Sequence, residues 1–260
     1  MRFVPKQLHK TSDISRGDHS RYTFLKNTAL LVIVLGSLYL ILGLLGEILA
    51  LTIPESWEAR LLPAGGFDSS VETPEFLEAR AVFDRLIQDL ELRPLPYELF
   101  LSDEETPNAF AIPGGGVGIT SGMLDQLESE IGMAMVLGHE LGHQQHRHHL
   151  RRMGRSLIHQ VAFSFLFGNT GNSLMQTTLT AGELRYSRRQ EMEADGFGLK
   201  LVHRIYGRTD GCLEFFEILQ EDPDSDLSPW TTFLLTHPLT GERIADLREL
   251  QNRLSSPDPR

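Results

Sequence analysis

The feature that most constrains the fold of this 260-residue chain is a run of 20 residues without a charged side chain, at positions 27–46. The run consists mainly of Leu, Ile and Val, and a helix of that length is about 30 Å long, which matches the hydrocarbon core of a bilayer. Beyond Glu47 the apolar character continues to Ile53. The sequence therefore predicts a transmembrane helix within residues 27–53.

A buried core helix and a cleaved signal peptide are the two alternatives for this run. A core helix rarely lacks charged residues over such a length, and the apolar run of a signal peptide has about 7–15 residues after a short basic region. Here 26 mostly polar residues precede a longer run. The sequence therefore favours a retained signal anchor.

Charge is distributed unevenly on the two sides of the anchor. Residues 1–26 contain six basic and two acidic side chains, whereas the whole chain has 24 Lys and Arg against 35 Asp and Glu. Because basic flanks stay in the cytoplasm, the N-terminus is predicted to be cytoplasmic and residues from about 54 onward to lie across the membrane. In a bacterium this corresponds to a single-pass inner-membrane protein with a periplasmic domain.

Composition excludes several classes of partner and site. The net charge of −11 argues against a nucleic-acid partner, because phosphate binding requires a basic face. The single cysteine, Cys212, cannot form an intramolecular disulfide or a Cys-based zinc site. It lies in the apolar run 212–216, which is typical of a buried thiol.

The chain divides into five predicted segments. The part after the anchor has about the length of one domain and contains no internal repeat. The segments are a cytoplasmic basic tail (1–26), a transmembrane signal anchor (27–53), a linker (54–74), a domain (75–254) and a tail (255–260).

Strands precede helices in this domain, which predicts an α+β fold that is mostly helical. Apolar spacing indicates a helix over 74–92, and alternating runs around the glycines at 114–116 indicate a small antiparallel sheet. Ser129 predicts the start of a long helix that continues to about residue 152, because no proline interrupts it. The apolar run 157–168 is too short for a second span, so core packing or peripheral membrane docking is favoured.

Within the predicted long helix, His139 and His143 lie four positions apart in the sequence His-Glu-Leu-Gly-His. This spacing corresponds to about 40° around a helix and about 6 Å along it, so both imidazoles can bind one metal ion. Glu140 lies about 100° from His139, where a base is needed to act on a water molecule that the ion activates. The pattern predicts a metal-dependent hydrolytic site.

Two residues are candidates for the third metal ligand. His149 has the third-histidine position of a related zinc pattern, but an unbroken helix would place it about 15 Å from His139 along the axis. Glu191 precedes Asp195 by four positions, so one helix face can present Glu191 to the ion and Asp195 to the outer nitrogen of a ligand histidine. A solvated charged face is the alternative interpretation. Beside the histidine pair, Glu191 is favoured.

Four ordered motifs over about residues 75–250 resemble one family, the zinc metallopeptidases that include bacterial HtpX, mitochondrial Oma-type proteases and the CAAX prenyl proteases. The motifs occupy residues 108–115, 138–148, 187–195 and 236–244. HtpX and the prenyl proteases have several spans, whereas this chain has one clear span. The resemblance is therefore to a single-anchor bacterial member and weakens any claim of CAAX processing.

The resemblance implies a zincin-like metallopeptidase domain with one Zn²⁺ per chain. The resemblance assigns the zinc to His139, His143 and Glu191, and the catalytic acid/base role to Glu140. Asp195 would hydrogen-bond to a ligand histidine from outside the metal site, and His237 and Arg243 would face the metal cleft, His237 as a catalytic residue. The residues implied to bind an extended peptide substrate are Asn108, Ala109 and Phe110 on an edge strand, together with Arg243.

The predicted function is that of a membrane-anchored zinc metalloendopeptidase that cleaves extended protein or peptide substrates, by family analogy in envelope protein quality control. His237 is predicted to stabilise the oxyanion or to cap the zinc in a resting state, with a structural role before Pro238 as the alternative. A catalytically silent, membrane-tethered zinc-binding chaperone or adaptor is the alternative function. The presence of Glu140 argues against it.

Overall fold

The structure is a computed structural model that describes residues 17–61, 73–167, 186–221 and 229–256. The chain divides into two compact units, the first ending at Leu42 and the second beginning at Gly43. Much of the predicted basic tail and most of the predicted linker and C-terminal tail lie outside the described residues. The five predicted segment boundaries therefore stay predictions.

The N-terminal apolar run is helical, as predicted. Helix α1 covers Gly17–Leu51 and belongs to the first unit up to Leu42. Its part Arg21–Leu51 is the one helix, among the residues that the structure describes, that is long and apolar enough to cross a membrane.

The remaining elements belong to the second unit and are mostly helical, as the fold class predicts. They are α2 (Glu55–Leu61), α3 (Pro74–Leu86), β1 (Glu98–Ser102), β2 (Ala109–Ile112), β3 (Gly116–Thr120), α4 (Ser121–Leu124), α5 (Glu130–Gln145), α6 (His148–Phe167), α7 (Arg188–Tyr206), α8 (Glu214–Glu221), α9 (Thr231–Thr236) and α10 (Gly241–Ser255).

The three strands form one sheet in the order β1–β3–β2. β2 and β3 are antiparallel, because the turn at Gly114, which has a φ of 89°, reverses the chain. β1 pairs with β3 in parallel, with Glu98 opposite Gly116. The sheet is therefore mixed, and the prediction of an antiparallel sheet needs correction for β1. The physical reason is that residues 103–108 lead the chain to the opposite edge before the hairpin reverses it.

Helix α3 is shorter than predicted, because it ends at Leu86 rather than at residue 92. Beyond its end, the Asp89 carboxylate accepts a hydrogen bond from the backbone N–H of Glu91 at 2.7 Å. Such local side-chain bonds compete with helical hydrogen bonding. As a result Leu90, which the spacing placed on the apolar face, is fully exposed.

The long helix predicted from Ser129 to residue 152 is two helices. Ser129 caps α5 as predicted, since its hydroxyl accepts a hydrogen bond from the backbone of Gly132. However, α5 ends at Gln145 and α6 begins at His148, after two intervening residues. Arg147, in between, has a φ of 54°, in the left-handed region that residues with a side chain rarely adopt.

The Arg147 side chain explains this break. Its guanidinium donates hydrogen bonds to the backbone carbonyls of Leu51 and Ile53, at 2.9 and 2.7 Å, and to the Glu58 carboxylate at 3.0 Å. These bonds stabilise a backbone conformation that no proline imposes. Arg147 thus joins the end of α1 and helix α2 to the α5–α6 junction.

Helices α5 and α7 pack with their backbones unusually close. A Cβ atom added to Gly142 would lie 2.8 Å from the Cα of Ala194, and one added to Gly138 would lie 3.2 Å from the Cα of Gly198. Only residues without a side chain fit there. This contact brings Glu191, in the first turn of α7, to the inner face of α5.

The hydrophobic core surrounds α5, which is buried from Ile131 to Gln144. Side chains from α3, the sheet, α7, α8 and α10 contribute to the same cluster. Cys212 is a free and fully buried thiol, as predicted. Polar side chains on α5 must therefore find their partners within the protein.

Candidate metal centre

His139, His143 and Glu191 lie together in the interior, although Glu191 is far from the histidines in sequence. The Nε2 atoms of His139 and His143 are 3.1 Å apart. The two carboxylate oxygens of Glu191 lie 3.6 Å from His139 Nε2 and 3.5 Å from His143 Nε2. All three residues are 5% exposed or less. The structure thus brings the three predicted metal ligands to one point.

Asp195 fixes the tautomer of His139. Its Oδ1 lies 2.8 Å from His139 Nδ1, and because an ionised carboxylate can only accept, that nitrogen holds the proton. In the neutral ring the lone pair is then on Nε2, which faces His143 and Glu191. Asp195 therefore lies behind a candidate ligand, where the sequence placed it.

His143 has a corresponding partner that sequence analysis missed. Its Nδ1 lies 2.9 Å from Nδ1 of His148, and the opposite nitrogen of His148 lies 3.1 Å from a Glu193 carboxylate oxygen. If His148 donates to Glu193 through Nε2, its Nδ1 is free to accept the proton of His143. The adjacent Arg189 holds Glu193 by an ion pair of 2.8 Å. The sequence contained one signal, since His148 belongs to the motif at 138–148.

The donor set fits a zinc ion. Two imidazole nitrogens with lone pairs and one carboxylate converge, which is the usual set of three protein ligands in catalytic zinc sites. Burial lowers the pKa of His143 well below its usual value, so this ring is neutral and available as a ligand. Burial would also lower the pKa of His139, but the hydrogen bond and charge of Asp195 and the charge of Glu191 raise it. The carboxylates of Asp195 and Glu191 thus favour positive charge at His139.

Glu140 is fully buried beside this point. Burial raises the pKa of its carboxyl group, and the nearby His237 and His139 oppose the rise. Its Oε1 lies 3.8 Å from Nε2 of His237. The backbone of Ala111 in β2 also lies next to the carboxyl group. Glu140 is therefore between the histidine cluster and the sheet.

His237 also belongs to the cluster. Its Nδ1 lies 3.3 Å from both His139 Nε2 and Glu191 Oε1, and its ring is stacked on Phe233 at 4.6 Å. With His139, His143 and Glu191 it forms a group of four residues whose ligand atoms all lie within 4.8 Å of one another. This geometry matches the closed arrangement expected if His237 caps the metal.

Arg243 is buried and bound to carboxylates. It donates to both oxygens of Asp195, at 2.7 and 2.8 Å, and its Nη1 lies 2.7 Å from Glu191 and 3.0 Å from the carbonyl oxygen of Pro238. Its donors are thus directed at Asp195, Glu191 and the turn after His237, and the contact with substrate that the resemblance implies for Arg243 stays a prediction.

The predicted peptide-binding residues lie on or next to an edge strand. Ala109 and Phe110 belong to β2, which is at one edge of the described sheet, and Asn108 precedes it. The side chain of Gln144 donates to the carbonyl oxygens of Ile112 and Gly116, so α5 holds the end of this strand. Sequence analysis missed Gln144, because nothing in the motif distinguishes it from a surface glutamine.

Tyr186 is a second side chain that sequence analysis missed. Its ring is stacked on His143 with centroids 3.9 Å apart, and its backbone N–H donates to the carbonyl oxygen of Thr236. Burial raises the pKa of its hydroxyl group. Tyr186 precedes the predicted motif by one residue, and no spacing rule selects it.

His149, the rejected candidate ligand, lies away from the cluster. It is 2% exposed, and its Nε2 is 4.0 Å from Glu58. Its position differs from that of the candidate ligands for another reason than the one given from the sequence, because the helix does break before His149. The break turns this side chain toward α2 instead of toward the metal site.

Comparison with known proteins places this geometry in a family. Peptidase family M48 matches residues 75–251, which include every residue of the site described above. The chain belongs to peptidase family M48. This agrees with the resemblance found in the sequence motifs, and the M48 match covers most of the second unit.

Proteins similar to this M48 chain come from mitochondria and bacteria. "Mitochondrial metalloendopeptidase OMA1" of Schizosaccharomyces pombe is 30% identical over 182 residues, which are 68% of this chain and 53% of that protein. "Putative beta-barrel assembly-enhancing protease" of Vibrio cholerae is 30% identical over 178 residues, 64% of this chain and 37% of the relative. "Beta-barrel assembly-enhancing protease" of Escherichia coli is 27% identical over 183 residues, again 37% of the relative. The chain thus spans about half or less of these proteins.

Proposed function

We propose that this chain is a membrane-anchored, zinc-dependent metalloendopeptidase that hydrolyses peptide bonds in extended protein substrates. One observation supports it above all others: two imidazole nitrogens and the Glu191 carboxylate converge within 3.6 Å, with Glu140 buried beside them. One Zn²⁺ per chain would be held by His139, His143 and Glu191. M48 membership and the names of the relatives support the same activity.

A bound zinc ion would acidify a water molecule and polarise the scissile carbonyl. Glu140 accepts the proton of the attacking water and later donates it to the leaving amine. Asp195 and the His148–Glu193 pair hold the two imidazoles in the tautomers that direct Nε2 inward. Arg243 forms ion pairs with Glu191 and Asp195 and holds both carboxylates in place.

Substrate binding is assigned to the outer edge of β2 in the described sheet. An extended peptide would pair its backbone with this edge next to Asn108, Ala109 and Phe110, and such pairing tolerates many sequences. Because Ala109 as a whole is buried, the pairing would rely on its half-buried neighbours Asn108 and Phe110. The proximity of Ala111 to Glu140 supports a path that leads the peptide past the acid/base.

Two roles are proposed for His237, capping of the metal and stabilisation of the oxyanion, and it cannot perform both at once. In the described arrangement it is close enough to the ligand atoms to cap the metal in a resting state. Once displaced by substrate, its imidazole could stabilise the oxyanion instead. Replacement of His237 by alanine should raise basal hydrolysis if capping dominates and lower it if oxyanion binding dominates. Unchanged hydrolysis would contradict both roles.

The anchor and the names of the relatives support a place in the cell envelope. Helix α1 has the length and composition of a membrane span, and basic residues precede it. The bacterial relatives are named for β-barrel assembly, which is an envelope process. We therefore propose a single-pass protein of the bacterial inner membrane, with a cytoplasmic N-terminus and a periplasmic catalytic domain that acts in protein quality control.

The test is hydrolysis of unfolded casein by the full-length protein in detergent micelles. Replacement of Glu140 by glutamine keeps the size of the side chain but removes the base, so the rate should fall about 10²–10⁴-fold while the zinc content stays unchanged. Glu130→Gln, at the start of the same helix, is the matched control and should retain activity. A zinc-loaded wild-type protein that does not cleave casein, or an equally active Glu140→Gln variant, would contradict the proposal and favour the chaperone or adaptor alternative.

A further inference from the structure

Helix α6 exposes a row of large apolar side chains at every fourth position. Met153, Leu157, Val161 and Phe165 are 37%, 56%, 67% and 90% exposed, and exposure rises along the helix. Residues at i and i+4 share one helix face, so the four side chains form a single stripe. The sequence favoured either core packing or peripheral membrane docking for the run 157–168. The exposure of these side chains shows that core packing is wrong for this stripe.

Another face of α6 packs against the last turns of α1 within the second unit. A Cβ atom added to Gly154 would lie 2.9 Å from the Cβ of Ala50, and Gly154 also contacts the backbone of Gly46. Further along, the His159 ring lies against Gly43. As the residue number rises in α6 it falls in this last part of α1, so α6 runs antiparallel to the turns from Gly43 onward. Close packing at small residues is typical of helices in membranes.

Charges on α6 are confined to the half that lies near the end of α1. Arg151 and Arg155 form ion pairs with Glu47, just after the charge-free run. Beyond Arg155, the residues 156–167 contain no Asp, Glu, Lys or Arg. His159 is already level with Gly43, a residue inside the charge-free run 27–46. Helix α6 therefore extends in the direction of the predicted bilayer interior.

We propose that lipid acyl chains cover the stripe of Met153, Leu157, Val161 and Phe165, so that the C-terminal half of α6 is embedded in the bilayer beside the end of α1. The proposal rests on the membrane anchoring in the proposed function. Continuity supports lipid as the occupant, since Leu44, Leu45 and Ile48 on the adjoining turns of α1 are also exposed. Charged side chains are costly in apolar surroundings, and residues 156–167 of α6 contain no Asp, Glu, Lys or Arg.

This arrangement would fix the catalytic domain close to the membrane surface. Helix α6 begins at His148, which contacts the candidate ligand His143, so the membrane-embedded helix and the metal site share one element. Substrates would then be segments of proteins that emerge at or near the membrane surface. The stripe is thus a membrane-interaction surface in addition to the anchor itself.

The test uses nitroxide labels on full-length protein in vesicles of phosphatidylcholine and phosphatidylglycerol. In a Cys212→Ala background, single cysteines replace Val161 or Phe165. Ile41→Cys in the anchor is the reference for lipid, and Leu90→Cys, at a fully exposed position, is the reference for water. The ratio of oxygen to nickel-chelate accessibility should be severalfold higher at 161 and 165 than at 90, as at 41.

The outcomes separate this inference from the anchoring on which it rests. If position 41 is in lipid but positions 161 and 165 resemble position 90, the stripe faces water and the inference is wrong while the anchoring holds. If position 41 also resembles position 90, the anchoring itself is contradicted. If positions 161 and 165 are protected from both reagents, a protein surface covers the stripe and lipid is excluded.

Discussion

Helices α5 and α6 are separated by only two residues, yet their surroundings are opposite. Every residue of α5 from Ile131 to Gln144 is buried by other parts of the protein, whereas α6 exposes an apolar stripe that becomes more exposed toward Phe165. The imidazoles of His139 and His143 on α5 have hydrogen-bond partners inside the protein, whereas the apolar side chains of the α6 stripe remain 37–90% exposed. The difference shows that one helix is fixed by protein packing and the other is built for different surroundings.

The junction between the two helices explains how both can exist in one chain. Arg147 adopts a left-handed backbone conformation and binds the carbonyl oxygens at the end of α1 together with Glu58. The change of direction lets α5 remain in the core while α6 packs against the last turns of α1, from Gly43 onward. An unbroken helix would direct both segments along one axis.

The largest difference in the free energy of unfolding is expected between a Leu→Ala substitution in α5 and one in α6. Leu141, on α5, is fully buried, and Leu157, on α6, is 56% exposed. Leu141→Ala should lower the free energy of unfolding by about 2–5 kcal/mol, because it leaves a cavity. Leu157→Ala should change it by less than about 0.5 kcal/mol, because an exposed side chain leaves none. Urea unfolding of the metal-free proteins in micelles measures both, and equal losses would contradict the contrast.

Glu58, which binds Arg147 at the junction of α5 and α6, is expected to stabilise the fold at neutral pH and to lose this effect in acid. Burial would raise its pKa, but the neighbouring His149, Arg93 and Arg147 lower it to about 2. Because the folded pKa lies below the ordinary 4.5, ionised Glu58 stabilises the fold above about pH 4.5, and this contribution is lost as the pH falls toward 2. Glu58→Gln should therefore cost about 2–3 kcal/mol at pH 7.

The matched control for Glu58 is Glu55→Gln on the same helix. Glu55 is partly exposed and pairs with Arg93 at 3.1 Å, so its loss should cost less than about 1 kcal/mol. Unfolding is measured for both variants between pH 7 and 3. A Glu58→Gln difference that does not shrink as the pH falls would contradict the assigned ion cluster.

A smaller effect is expected where α5 meets α7. Gly142→Ala places a Cβ atom 2.8 Å from the Cα of Ala194 and should cost about 1–3 kcal/mol of unfolding free energy, because the helices must separate. Gly196→Ala, on α7, meets only Leu250 at 3.9 Å and should stabilise by about 0.5–1 kcal/mol. Thermal unfolding distinguishes the two signs. Stabilisation by both substitutions would contradict the close approach.

The smallest effect is expected on zinc affinity, from replacement of His148 at the start of α6. This residue hydrogen-bonds to His143 of α5. His148→Ala removes the acceptor for His143 Nδ1, so zinc affinity should fall about 10-fold or slightly more. His203→Ala, on α7 and outside the cluster, is the control. Competition with a fluorescent chelator measures the affinity. An unchanged value for His148→Ala would show that His143 does not need this partner.

Local spacing allowed the sequence to predict the core of the site. His139 and His143 share a face because they are one helical turn apart, and the same rule placed Glu191 and Asp195 together on α7. Their convergence required two glycines that let α5 and α7 approach, and the sequence alone does not show which helices meet. The roles of these residues stay predictions, although the structure brings them together.

The features that the sequence did not predict depend on contacts between distant segments. The break at Arg147 results from hydrogen-bond acceptors at the end of α1 and on α2. The residues next to Arg147 in the sequence do not indicate it. The parallel pairing of β1 depends on the route of a connecting loop, and Tyr186 reaches His143 only through the tertiary fold. Short-range spacing could not indicate any of these.

The most direct test of the metal centre is elemental analysis of zinc in purified full-length protein. Wild-type protein and the control Glu249→Ala, at an exposed position on α10, should each contain about one zinc per chain, as a three-ligand catalytic site holds one ion. Glu191→Ala should lose the zinc after dialysis. Zinc that remains at one per chain in Glu191→Ala, or that is absent from wild type, would contradict the site formed by His139, His143 and Glu191.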